Sequence, residues 1–271
     1  MTFRADLHCH TTCSDGTNTP LEILIKAKEI GLKGLSITDH DSISAYTPEL
    51  FSSAKCLEIS ILPGIELSSE YENQTVHVLG YGFDLKSSFL QEFIQEMQIR
   101  RNHRNRLILE KLKQKDIIIA EEELFAMKNQ TIGRPHIAAL MIKKGYVATM
   151  QQAFEGYLKE KAPCYVSGFK FTPFDAIHAI HEANGKAVLA HPHFIQPKSF
   201  LKKLLAQPFD GIECYYGTLH KHLEIPWVQI AKGKGWIATG GSDYHGTIKP
   251  HISLGCSWVN EATFLQLMRN E

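Results

Sequence analysis

A chain of 271 residues, 44% hydrophobic and 21% charged, has the composition of a folded globular protein, without the low hydrophobicity and charge excess of disorder. Its 29 basic and 29 acidic residues balance, which excludes a general polyanion-binding surface but leaves room for a local basic pocket. Six cysteines without a CxxC pair, no apolar run near the roughly 20 residues that span a bilayer, and no charged-apolar opening point to a reduced, cytoplasmic protein with no membrane partner.

Residues 3–9 are expected to form a strand. Alternation along it puts His8 and His10 on one side and turns Cys9 away, while Asp15 returns in the following turn. Thr19-Pro20 opens an amphipathic helix that Gly31 stops. A buried strand over 34–38 ends in Asp39-His40-Asp41, and a helix is predicted over 42–54. A single strand follows over 59–67 and ends in Glu66-Leu67; another over 75–81 carries His77. In the long helix over 89–115, Arg101 and Arg104 share a face. The stretch 98–171 is mostly helical and breaks the βα rhythm, so it reads as an insertion or cap between two parts of one main unit, 1–97 and 172–271. The rhythm then resumes with helices over 173–184, 199–206 and 220–232 and strands over 186–190, 211–215 and 236–239. The first of these strands runs into His191 and the last into Gly241-Ser242-Asp243-Tyr244-His245.

In a parallel α/β barrel the carboxyl ends of all strands lie on one face, where groups distant in sequence meet. His8, His10, His40, Glu66, His191, Asp243 and His245 stand at or just beyond such ends, with Asp15 in the turn after the first strand and His77 on an added strand, as a metal centre drawn from the whole chain would require. Nine nitrogen and oxygen donors exceed what one zinc takes, so two or three divalent ions are expected, with Glu66 the natural bridge. The ligand types leave manganese, iron and zinc open. Any one of these histidines taken singly could equally be a hydrogen-bonded structural residue; their recurrence from strand to strand carries the reading. No nucleophile elbow, Walker loop or dinucleotide glycine loop competes with it.

Asp6-Leu7-His8-Cys9-His10, Ser14-Asp15-Gly16, Thr38-Asp39-His40, Pro63-Gly64-Ile65-Glu66, Val76-His77-Val78-Leu79-Gly80, Ala190-His191-Pro192 and Gly241-Ser242-Asp243-Tyr244-His245 resemble, in order, the motifs of the PHP (polymerase and histidinol phosphatase) superfamily. The resemblance runs over nearly the whole chain. It implies an α/β fold, a distorted (β/α)7 barrel with a helical insertion, and a trinuclear site. One ion would take His8, His10, Glu66 and Asp243, a second Glu66, His77 and His191, and a third Asp15, His40 and His245. Gly133-Arg134-Pro135-His136 resembles the stand-alone phosphoesterase branch, whose members act on nucleoside 3′,5′-bisphosphates or trim 5′ ends of short RNA. On that resemblance Arg134 and His136 contact phosphate, with Arg101, Arg104 and Lys170 as further phosphate candidates and His220 lining the substrate pocket. The rival reading of Arg101 and Arg104 is a solvated helix face, and of Arg134 a solvated side chain beside a helix-starting proline. His103, His178, His181, His193, His222 and His251 read as surface or packing residues.

The reading is a hydrolase, a metal-dependent phosphoesterase that removes a phosphomonoester from a small nucleotide by metal-activated hydroxide, with a nucleoside 3′,5′-bisphosphate as the leading substrate. The alternative is a 5′-to-3′ exonuclease on short RNA or DNA, for which Tyr215, Tyr216 and Trp227 offer stacking surfaces. A non-catalytic metal-binding partner module is the reading from a different class. Expected partners are phosphorylated nucleotides or short oligonucleotides, with no obligate protein partner.

Overall fold

Three helices begin on the same dipeptide, Thr-Pro, for the same reason. Proline at the first helical position loses no hydrogen bond, and the threonine hydroxyl before it accepts one of the helix's unpaired N–H groups. Thr19 caps α1 (Pro20–Glu29), Thr47 caps α2 (Pro48–Leu57), and Thr172 caps the later helix Pro173–Glu182, each through a hydroxyl 3.2 Å from the N–H three residues on. A computed structural model of the chain describes residues 2–126, 131–168 and 171–268. The strands are β1 (Ala5–Asp6), β2 (Gly34–Leu35), β3 (Ser60–Ile61), β4 (Gly64–Tyr71), β5 (Gln74–Tyr81), β6 (Lys186–Leu189), β7 (Gly211–Tyr216) and β8 (Ile237–Gly241). The remaining helices are α3 (Ser88–Lys113), α4 (Glu121–Phe125), α5 (Arg134–Lys143), α6 (Met150–Ala153), α7 (Pro173–Glu182), α8 (Lys198–Leu204), α9 (Lys221–Lys234) and α10 (Glu261–Leu267).

The fold is mixed α/β. Strands β1-β2-β3 form a parallel sheet and β4-β5-β6-β7-β8 a second sheet in which β5 runs antiparallel to both neighbours. An all-parallel arrangement is therefore not what forms. Glu72 and Asn73, at φ 49° and 60°, make the two-residue turn of a hairpin, and a hairpin can only return its strand antiparallel. The sheets do not share one continuous ladder among the described residues; bridges at Cys9–Tyr244 and His40–Glu66 join their edges.

Four expected elements are corrected. The strands over 3–9 and 34–38 shorten to Ala5–Asp6 and Gly34–Leu35, since past these residues the pairing is reduced to isolated bridges at Cys9 and His40. The strand over 59–67 is two strands, because Pro63 has no N–H to continue a ladder and Gly64 lies so close to β2 that a Cβ there would stand 2.1 Å from Ser36 Oγ. The helix expected from 42 starts at Pro48. Asp41 is left-handed (φ 49°) and residues 42–46 are tied up in turns, with Ser44 N–H donating to Ser42 Oγ and Tyr46 N–H to the Ile43 carbonyl.

Alternation sorts the faces. On β4, Ile65 and Leu67 pack with Ile177 and Ile180 of α7, leaving Glu66 and Ser68 on the opposite face. On β5, Leu79 and Tyr81 join Ala5, Leu7, Val188 and Phe264 in a buried cluster contributed by both sheets, and His77 shares their side. Within 98–171 every described element is helical, including a π-helical turn at Phe154–Leu158, and this stretch has its own apolar cluster from Ile108 to Cys164.

Candidate metal centre

His8 and His10, both wholly buried, leave the end of β1 on one side, while Cys9 on the other packs against the α1–α2 cluster. Two buried aspartates hold this entry in place. Asp6 accepts the N–H groups of His8, Ser242 and Gly255 at 3.1, 2.9 and 2.8 Å. Asp39 accepts from Thr11 N and Oγ1 at 2.8 and 2.6 Å and from Ser14 Oγ at 2.5 Å. Three site residues adopt the left-handed backbone that non-glycine residues avoid: Asp41, His191 (φ 27°) and Asp243 (φ 56°). Each is pinned by its own N–H, which donates to Glu66 O, Glu213 Oε2 and His8 O respectively.

Glu66 is the hub. Its Oε2 lies 3.3, 3.1 and 3.2 Å from His8 Nε2, His10 Nε2 and His40 Nδ1, and its Oε1 2.8 and 3.0 Å from His77 Nδ1 and His191 Nε2. Asp243 Oδ1 reaches His8, His10 and His245 at 3.3–3.5 Å, and Asp15 reaches His10, His40 and His245 at 3.4–3.8 Å. The structure thus brings all nine sequence-derived positions to one place.

The donor set fits cations. His8 Nε2, His10 Nε2 and His40 Nδ1 are buried with no hydrogen-bond partner, although each lies 3.1–3.3 Å from Glu66 Oε2. Nitrogens and carboxylate oxygens aimed at one point without bonding each other are donors that a cation would satisfy. Three groups of donors lie mutually within 4.8 Å: His10, Asp15, His40 and His245; His8, His10 and Asp243; and His40, Glu66 and His77. These cut across the three-ion partition of the family resemblance, since His10 and His40 each join two groups and His191, whose Nε2 lies 3.0 Å from Glu66 Oε1 and 3.3 Å from His77 Nδ1, joins none.

Ring orientation is fixed from behind. His8 Nδ1 donates to Glu213 Oε1 at 2.8 Å and His245 Nδ1 to the Asp243 carbonyl at 2.9 Å, leaving both Nε2 atoms toward the centre. Burial opposes ionisation of Glu66, but His40, His77 and His8 outweigh it and hold the carboxyl well below the usual carboxylate range. Asp243 is held low, against its burial, by Lys249 and His245. Burial opposes protonation of His40 and, with His10 and Lys249, takes His245 down to about 3. His8 and His10 go the other way. Burial would lower them, but Glu213 and Glu66 raise His8 well above an ordinary imidazole, and Asp243 and Glu66 push His10 up to about 9.

Two cavities meet over the centre and share His40, His77, His245 and Lys249 as walls. The first, of about 400 Å³, is cationic, lined by Arg101, Arg104, Arg134 and Lys249. Arg101 and Arg104 are buried, which corrects the solvated-face reading; Arg101 donates twice to Asp41 and once to Ser68 Oγ at 2.8 Å. Arg134 donates to the Leu158 carbonyl at 3.2 Å and lies over the Phe154 and Tyr165 rings. His136 accepts the Gly133 N–H at 3.0 Å and closes the start of α5 instead of lining either cavity. His220 is exposed at the start of α9, stacked on His222 and apart from both cavities. Lys170 lies outside the described residues. The second cavity, of about 390 Å³, is lined by Phe194, Tyr216, Thr218, His251 and Ile252 beside the metal-site residues.

Sequence reasoning missed Glu213, Tyr216 and Lys249 as parts of the centre. Tyr216 and Lys249 both donate to Asp243 Oδ2, at 2.5 and 2.6 Å. An acid inside the otherwise apolar β7 is a readable signal for Glu213; nothing local marks Lys249. The stacking surfaces expected at Tyr215, Tyr216 and Trp227 are not offered. Tyr216 is buried, and the other two pack against the core.

Residues 6–165, more than half of the chain, match the PHP domain family model. The chain belongs to the PHP domain family. It is 34% identical over 259 residues to the 5′-3′ exoribonuclease Rnm of Salmonella typhimurium, covering 92% of this chain and 87% of that protein. It is 29% identical over 247 residues to the 3′,5′-nucleoside bisphosphate phosphatase of Chromobacterium violaceum, covering 89% and 86%. A Bifidobacterium adolescentis protein named as a metal-dependent phosphoesterase superposes with a TM-score of 0.87 at 28% identity, over 97% of this chain and 94% of that one. This PHP domain protein is accordingly a hydrolase of the metal-dependent phosphoesterase class. No helix among its described residues is long and apolar enough to cross a membrane.

Proposed function

We propose that this PHP domain protein hydrolyses the 3′-phosphate of a nucleoside 3′,5′-bisphosphate, its cationic cavity holding the 5′-phosphate and its histidine–carboxylate centre the 3′-phosphorus. The observation that carries the reading is the adjacency of the two: Arg101, Arg104, Arg134 and Lys249 line one cavity whose far wall is His40, His77 and His245. A second phosphate beside the scissile one gives those cations a ligand, and arginine is suited to phosphate by its fork of donors. We read the two sheets as the opened edges of the family's distorted (β/α)7 barrel, and 98–171 as a cap that delivers Arg101, Arg104 and Arg134 over the strand ends.

Two or three divalent ions, manganese, iron or zinc, would be held by His8, His10, Asp15, His40, Glu66, His77, His191, Asp243 and His245. What such ions supply when bound is a water acidic enough to ionise near neutral pH and positive charge beside the phosphate. The chain's own groups do the rest. Glu213 and the Asp243 carbonyl keep His8 and His245 in the tautomers that face the site. The arginines fix the 5′-phosphate and so orient the P–O3′ bond. In the net reaction a water oxygen ends on phosphorus, the P–O3′ bond breaks, and a proton ends on the ribose 3′ oxygen.

A second reading is favoured by the higher identity to the Salmonella exoribonuclease than to the bisphosphate phosphatase, 34% against 29%. The two are close in chemistry. A 5′-phosphorylated RNA is a 3′,5′-bisphosphate extended by the next nucleotide, and release of its first mononucleotide breaks the same P–O3′ bond. Product analysis with manganese-loaded protein separates them. Phosphate and 5′-AMP from adenosine 3′,5′-bisphosphate support the proposal. Successive mononucleotides from 5′-phosphorylated RNA with a silent bisphosphate would replace it with the exonuclease, and silence on both would overturn both.

A further inference from the structure

The second cavity holds Glu66, His191 and Asp243 of the centre, where the proposed function places the 3′-phosphorus, and continues past them to Phe194, Thr218 and Ile252, beyond the reach of a bisphosphate's two phosphates. It shares the His40, His77 and His245 wall with the arginine-lined cavity but holds none of the arginines, and it is lined by Phe194, a large aromatic ring left 62% exposed beside the metal centre. Phe194 also borders a smaller cavity of about 220 Å³ with His77 and His191. The ring is not loose. Its backbone N–H donates to the His191 carbonyl, its centroid lies 4.1 Å from His193 and 5.8 Å from His191, and it meets buried Tyr216 edge-on at 5.5 Å. One side is thus braced by packed rings while the other faces the cavity, so little side-chain freedom is left to lose on stacking. An exposed, pre-oriented π-face next to a phosphoesterase centre suits a nucleobase.

Which base it meets follows from the order of the subsites. With the 5′-phosphate among the arginines and the 3′-phosphorus at the centre, whatever continues beyond that phosphorus enters the cavity of Phe194. We infer that Phe194 is the stacking platform for the nucleotide that follows the scissile phosphate, and that the site is built to take a chain running across it. The inference rests on the proposed function and extends it. The competing aromatic, Phe154, lines the cationic cavity, is only half-buried, and already carries the Arg134 guanidinium.

The test is the ratio of kcat/KM for a 5′-phosphorylated trinucleotide to kcat/KM for adenosine 3′,5′-bisphosphate, measured on manganese-loaded wild type, Phe194→Ala, Phe194→Trp and Phe154→Leu, with bound metal quantified in each. The ratio is expected to fall about tenfold in Phe194→Ala through KM for the trinucleotide, and to be restored by Phe194→Trp, with metal content held. An unmoved ratio overturns the inference. So does an equal fall on both substrates with loss of metal, which would make Phe194 a mere brace for His191, and so does a fall in Phe154→Leu in place of Phe194→Ala. Wild type active on the bisphosphate but silent on the trinucleotide overturns the inference alone; silence on both overturns the functional reading beneath it as well.

Discussion

At the scale of single residues, the centre divides into groups that converge on it and groups that aim them. Asp243 does both, touching His8, His10 and His245 while accepting from Tyr216 and Lys249. Asp243→Ala should cut phosphate release by about a thousandfold or more while the far-ultraviolet circular dichroism spectrum stays that of the wild type. Glu213 touches no candidate subsite directly. Glu213→Gln should weaken metal binding by roughly 10–100-fold, read as the chelator concentration that strips the metal, with the thermal midpoint of the metal-free protein little changed. The nine centre positions are legible because histidines and acids recur at the ends of apolar strands. Tyr216 and Lys249 are not, because each acts through one contact to Asp243 that no spacing encodes. The burial of Arg101 is equally hidden, since its partner Asp41 is sixty residues away in sequence.

At the scale of elements, the centre depends on β2, β3 and β4 being held together where the ladder is interrupted at Pro63. Tyr46 does this with one hydroxyl, which accepts the N–H groups of Ile37 and Gly64 at 3.1 and 2.7 Å and donates to the Ile37 carbonyl at 2.6 Å. Tyr46→Phe should cost about 1–3 kcal/mol by leaving those backbone groups unpaired, seen as a lower denaturation midpoint at unchanged metal affinity. Helix starts are readable wherever a Thr-Pro pair supplies both cap and first residue. Among the boundaries misread from sequence, those at 42–47 and 62–64 fall where apolar periodicity continues through a turn or a proline that ends the element.

For the whole molecule, the balance of charge conceals a strong internal separation, with carboxylates and imidazoles gathered at one point and arginines beside it. Without metal, His8 and His10 carry protons that stand in for cationic charge, since both lie above the ordinary imidazole range, His10 at about 9. Metal must displace those protons. Uptake by chelator-treated protein at pH 7 should therefore release protons, and apparent affinity should rise with pH up to about 9, as weakly buffered calorimetry would read. Metal should also raise the melting temperature, because it binds the folded arrangement in preference to the unfolded chain. The convergence of motifs from Asp6 to His245 is legible from sequence as a shared face of strand ends. The antiparallel β5 and the pairing of two cavities across the centre are not, since they depend on the hairpin at Glu72-Asn73 and on where Arg101, Arg104 and Arg134 of the helical stretch come to lie.

The central claim is that the histidine–carboxylate cluster is a metal-dependent hydrolytic centre. Its most direct test is phosphate release from adenosine 3′,5′-bisphosphate by chelator-treated wild type as manganese is titrated back, with Asp243→Ala in parallel. Activity that is absent after chelation, returns in proportion to metal bound, and never appears in the variant is the predicted result. Release that survives chelation, or a fully active Asp243→Ala protein, would contradict it.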